Sequence, residues 1–102
     1  MSTNVLLLGR TGIVLDEVRP HIDANDVNLY TGTNLDDVRR IFETQPIDIV
    51  IMGAGIDLGA RLEIVEHIFT VSNSTTVHMK DWDSGPAGML PFVNAILNGL
   101  SR

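Results

Sequence analysis

Two stretches decide how this chain is read: Asn4-Val5-Leu6-Leu7-Leu8-Gly9-Arg10-Thr11-Gly12-Ile13 and Ile47-Asp48-Ile49-Val50-Ile51-Met52-Gly53-Ala54-Gly55. Each is a short continuous apolar run followed by closely spaced glycines and then a helical pattern. A run of that length, bounded by glycine, is the signature of a strand buried on both faces. Two strand–turn–helix units of this kind imply a parallel sheet with helices packed on it and glycine loops along one edge.

Working outward, Val14, Val18 and Ile22 fall at i, i+4 and i+8 and form one helical stripe. Pro20 lies inside it, so the helix should kink or stop near Arg19. Val27 to Thr31 alternates apolar and polar and is expected to be a second strand, nearer an edge. Thr33 or Asn34 is the expected N-cap of the next helix. Asp36 and Asp37 suit its dipole, Leu35, Val38 and Phe42 backed by Ile41 are its buried stripe, and Pro46 ends it. The third strand, Ile47 to Met52, is the most hydrophobic and is placed centrally beside the first. Asp57 is the expected N-cap of a long helix reaching about Thr70, with Leu58, Leu62, Val65 and Phe69 as its buried stripe. Thr75, Val77 and Met79 alternate with Thr76 and His78 as a fourth strand. Lys80 to Gly88 reads as a structureless stretch. The last helix is expected from Met89 to Asn98, with Met89, Val93, Ile96 and Leu100 inside, Pro91 in its first turn and Gly99 near its C-cap. The expected fold class is α/β: one domain over residues 1–102, a three-layer α/β/α sandwich with a four-stranded parallel sheet in the order 2-1-3-4.

Composition narrows the function classes. The net charge of −6 repels polyphosphate backbones, and the seven basic residues are scattered, so nucleic-acid binding is not expected. With no cysteine, disulfides, thiolate catalysis and cysteine-ligated metals are excluded. No segment approaches the roughly 20 apolar residues of a spanning helix. No secretory signal is visible either, so no membrane association is expected and the cytoplasm is the default location.

The glycines are unevenly placed. Gly9, Gly12, Gly32, Gly53, Gly55, Gly85 and Gly88 lie in loops that follow a strand and precede a helix, whereas Asp23–Asp26, Thr44–Pro46 and Ser72–Ser74 on the opposite edge contain none. In open parallel sheets the ligand crevice lies at the carboxyl ends of the strands, where the strand order reverses. Here that is between the loops after strands one and three. Glycine there lets backbone approach a ligand, and helix N-termini offer unpaired N–H groups to an anion. The alternative is that tight strand-to-helix turns need glycine for their own sake.

Val5-Leu-Leu-Leu-Gly-Arg-Thr-Gly12 resembles the opening of Rossmann-like nucleotide-binding domains, in particular the short-chain dehydrogenases and atypical reductases. The likeness continues through Ile49-Val-Ile-Met-Gly-Ala-Gly55 and covers roughly the first 55 residues. The resemblance implies that Gly9, Arg10, Thr11 and Gly12 form a phosphate turn and that Gly53, Ala54 and Gly55 flank the cofactor, NAD or NADP. Thr31 then stands where that family carries an acid for the ribose hydroxyls, and Leu15 stands at its third glycine position. The family's catalytic tyrosine and lysine have no counterpart, because four residues after Tyr30, the only tyrosine, stands Asn34. Complete reductase chemistry is therefore not expected. The chain is also similar to receiver domains in size, alternation and strand order. Arg10-Thr11 and Gly53 occupy those domains' acidic positions, so phosphotransfer is not implied, although Lys80 looks like the receiver lysine. Arg10-Thr11-Gly12 faintly resembles the flavin-phosphate loop of flavodoxins, with FMN as ligand and Trp82 stacking on its ring.

In the loop after strand four, Lys80 is a candidate anion ligand and Trp82 a candidate ring cover, against a loop whose tryptophan merely packs on a helix. His21, His67 and His78 have no metal-like spacing, and no serine or threonine has a recognisable activating base. Two functions remain: a domain that binds a small phosphate-bearing ligand, and a catalytically silent module acting through a protein partner or as a homo-oligomer.

Overall fold

A computed structural model describes residues 2–10 and 15–100. Four strands, β1 (Thr3–Leu8), β2 (Val27–Gly32), β3 (Ile49–Met52) and β4 (Thr76–Met79), alternate with four helices. The helices are α1 (Leu15–Val18), α2 (Leu35–Thr44), α3 (Leu58–Val71) and α4 (Met89–Gly99), with 3-10 turns at Arg19–His21 and Pro86–Gly88. All pairings are parallel and the strand order is β2-β1-β3-β4, as the sequence predicts.

The sheet separates two cores. Leu6, Leu8, Val50 and Met52 face α2 and α3 and pack with Val38, Ile41, Ile64 and Ile68. Val5, Leu7, Ile49 and Ile51 face the other way and pack with Leu29, Val93 and Leu97, joined by Leu15 and Val18 of α1. Every residue from Val5 to Leu8 and from Ile49 to Met52 is buried, which is why these runs show no polar alternation.

Local chemistry places the helices. α1 gives way at Arg19 to a 3-10 turn around Pro20, and Asn94 of α4 holds that turn's end: its amide donates to the His21 carbonyl at 2.9 Å and accepts from the Asp23 N–H at 2.9 Å. Val14 of the expected stripe lies outside the described residues. Asn34 caps α2, its side chain accepting from the Asp37 N–H at 2.9 Å. The Asp37 carboxylate reaches back to accept from the Thr33 N–H at 2.8 Å, a reciprocal cap like the capping box. Below the sheet, the Asn4 N–H donates to the Asp48 carboxylate at 2.8 Å and the Thr75 hydroxyl to the Ile47 carbonyl at 2.6 Å, tying β1, β3 and β4 together at their amino ends.

The structure corrects several expectations. Strand pairing starts at Ile49 and Thr76, although Ile47 and Thr75 just before them are buried. In α3, Ile64 and Ile68 are fully buried, while Leu58, Leu62 and Phe69 are 62%, 59% and 55% exposed. That helix carries two apolar stripes, and the sheet can cover only one of them. In α4, Leu97 is buried rather than Leu100, which follows the last helical residue and is exposed. Met79 is likewise exposed, because β4 is an edge strand. The 80–88 stretch is not structureless: it holds the second 3-10 turn.

Candidate functional site

The hydrogen-bond ladder runs one residue past the carboxyl ends of the strands. The Gly53 N–H donates to the Leu8 carbonyl at 2.7 Å, the Lys80 N–H to the Met52 carbonyl at 2.9 Å, and the Gly9 N–H to the Gly32 carbonyl at 3.2 Å. Gly9, Gly53 and Lys80 therefore leave the sheet side by side, Gly9 and Gly53 flanking the point where the strand order reverses. They open a cleft of about 350 Å³. Gly9 and Arg10 come from the loop after β1, and Gly53, Ala54 and Gly55 from the loop after β3. Lys80, Trp82, Gly85, Pro86 and Met89 close the third side.

Lys80 is the least expected part of this arrangement. It is only 5% exposed, although burying an ammonium is costly unless it is paired. Its Nζ donates to the Asp81 carbonyl at 3.0 Å, its one hydrogen-bond acceptor among the described residues. An ammonium has three protons to donate. The turn that follows keeps the lysine stem in place: the Asp81 carboxylate accepts from the Ser84 hydroxyl at 2.8 Å and the Ser84 N–H at 2.9 Å. Those two bonds, with the Lys80 charge behind them, hold the Asp81 carboxyl below its ordinary range. Gly85 takes a left-handed φ of 68°, which favours glycine. A Cβ on Gly88 would lie 2.5 Å from the Ser84 hydroxyl and 3.3 Å from Lys80 Cε.

Gly53 differs. Its φ is not left-handed, and a Cβ there would make ordinary contacts, 3.4 Å from the Leu8 carbonyl and 4.0 Å from the Met89 sulfur. Neither a positive φ nor a close contact demands a glycine at this position, which lines the cleft without a side chain. A Cβ on Gly55 would press on the Arg10 stem at 3.1 Å. Among the described residues, those lining the cleft include two cations, Arg10 and Lys80, and no carboxylate, in a chain whose net charge is −6. Trp82 stands at the cleft with 72% of its surface exposed, so it does not pack on a helix.

Of the candidates read from the sequence, Gly9, Arg10, Gly53, Ala54, Gly55, Lys80 and Trp82 come together in this cleft. Thr31 does not line it: it is half-buried on β2 opposite Leu7. Thr11 and Gly12 lie outside the described residues. Asp36 lies in the first turn of α2, its side chain 89% exposed and 4.0 Å from Arg39. Gly85, Pro86 and Met89 are additions. Gly85 and Pro86 fall in the stretch read as structureless, where nothing in the sequence marks a cleft wall, and Met89 reads as a core residue of the last helix. Among the described residues no group of three or more His, Asp or Glu is placed to hold a metal ion.

The parallel α/β architecture is compatible with the Rossmann-like resemblance. No protein-family model matches the chain, and comparisons with curated proteins and with solved structures find no match.

Proposed function

We propose that this domain binds a small phosphate-bearing ligand of mononucleotide size in the cleft at the carboxyl ends of β1, β3 and β4. One observation carries the reading: a lysine only 5% exposed, with one hydrogen-bond acceptor among the described residues, opens into a cleft whose described lining has a second cation and no carboxylate. A buried ammonium is stabilised by an anion that completes its hydrogen bonds. The openness of the Gly53 position supports close backbone approach by the ligand. Trp82 supplies a flat apolar surface on which a base can stack. A volume of about 350 Å³ sits near the lower end of the roughly 300–1,000 Å³ typical of ligand sites. That suits a mononucleotide, FMN included; NAD or NADP would have to extend beyond the cleft.

Thermal melting with inorganic phosphate, AMP, ATP, FMN, NAD and NADP tests this. A ligand at about 100 times its dissociation constant adds about 2.7 kcal/mol, and each kcal/mol moves the midpoint of so small a domain by roughly 4–8 °C. The expected result is a shift with a phosphate-bearing compound that disappears in Gly53→Val, which adds a side chain to the cleft lining. No shift with any of the six overturns the proposal.

A further inference from the structure

The exposed stripe of α3 and the free edge of β4 form one surface. Residues advance about 100° around a helix. Relative to the buried Ile64 and Ile68, the side chains of Leu58, Leu62, Val65 and Phe69 are turned about 80–140° one way, and those of Glu63, His67 and Thr70 about as far the other way. The second group faces α2, since it lines a groove with Leu35 and Arg39 of that helix. The apolar stripe is therefore on the flank away from α2, above the β4 edge. The pairing register aligns Val77 with Val50 and Met79 with Met52, which puts Val77 and Met79 on that same side of the sheet.

We propose that a second copy of this chain docks on this surface, β4 pairing antiparallel with β4 across a two-fold axis and the two α3 stripes packing on each other. Four observations favour a second copy as the occupant. First, β4 (Thr76, Val77, His78, Met79) contains no proline, lysine or acid, the side chains that block edge pairing. Second, the geometry closes: a crossover helix centred between its two strands, with strands about 4.8 Å apart, lies about 10 Å from its two-fold mate, close to the spacing of packed helices. Third, pairing centred on Val77 or on His78 keeps Val77 and Met79 of both copies on the α3 side, so the apolar groups meet each other. Fourth, Leu58, Leu62, Phe69 and Met79 are each 42–62% exposed, which at roughly 150–200 Å² per such residue amounts to roughly 300–400 Å² of apolar surface. That is as large as the biggest patch of a typical monomer, and two such faces plus the strand pair reach the roughly 1,000 Å² expected of a specific interface.

Sedimentation equilibrium of the full chain measures this directly. The expected mass at high micromolar concentration is twice 11.2 kDa, falling to 11.2 kDa in the double variant Leu62→Glu/Phe69→Glu and in Met79→Lys, with circular dichroism unchanged because all three side chains are exposed. A wild-type chain that stays monomeric overturns the proposal. So does a dimer that survives all these substitutions, which would place the contact elsewhere. None of these residues lines the cleft, so the result is independent of ligand binding.

Discussion

Truncating neighbours on α3 separates the two ways of burying that helix. Ile68 is fully buried against Leu6, Leu8, Val50 and Met52. Ile68→Ala removes its outer carbons and leaves a cavity that rigid strands on the sheet side cannot fill, a loss of about 2–5 kcal/mol. That is a large part of the roughly 5–15 kcal/mol that holds a domain folded. Phe69 next to it is 55% exposed. A fully buried phenylalanine costs about 3–5 kcal/mol on truncation, so Phe69→Ala should cost less than half of that in the monomer. The periodic stripe Leu58, Leu62, Val65, Phe69 would demand the reverse order, with Phe69 the more costly. Urea unfolding followed by far-UV circular dichroism, at a protein concentration low enough to keep copies apart, gives both values. A Phe69→Ala loss equal to or above that of Ile68→Ala refutes the packing described above.

Other outcomes follow from the caps and turns. Asp37→Ala removes the acceptor of the Thr33 N–H and should cost about 1 kcal/mol in chemical denaturation. The Asp37 carboxyl is held low chiefly by that backbone bond. Its stabilisation is therefore present above the unfolded carboxylate range and lost as pH falls through the folded value, so the variant's acid unfolding curve should be flatter. His78 is also shifted down, by burial. Its charged form is disfavoured in the fold, so stability should begin to fall as pH drops below about 6.5, and His78→Gln should remove that first step. Gly85 has φ 68° and ψ −178°, a region essentially confined to glycine, so Gly85→Ala should cost about 1–3 kcal/mol by the same denaturation measurement.

Much of the fold was legible because its signals are local. Apolar runs that end in glycine specify buried parallel strands, alternation of strand and helix leaves few orders open, and the two most apolar strands, β1 and β3, take the centre of β2-β1-β3-β4. Asn34 and Pro20 act through their own backbone neighbours, so their effects could be read directly. α3 could not be read that way. Apolar residues run around most of it, and periodicity alone cannot say which stripe meets a sheet and which is left facing out. Met79 and Leu100 were misjudged for a related reason, since burial depends on what lies beyond an edge or a helix end. At the site, the glycine asymmetry pointed to the edge on which the cleft opens. The burial of Lys80 was not legible, because it depends on the Asp81–Ser84 turn and on the space left by Gly88, both visible only in three dimensions.

The most direct test of the central claim is calorimetric titration of AMP, and of adenosine as the phosphate-free control, into the wild-type chain and Lys80→Met. The account predicts saturable AMP binding, weaker binding of adenosine, and at least a tenfold loss (about 1.4 kcal/mol) of AMP affinity in the variant, with adenosine unaffected. AMP binding that survives Lys80→Met unchanged, or the absence of binding by AMP and every other phosphate-bearing compound of the melting set, would contradict it.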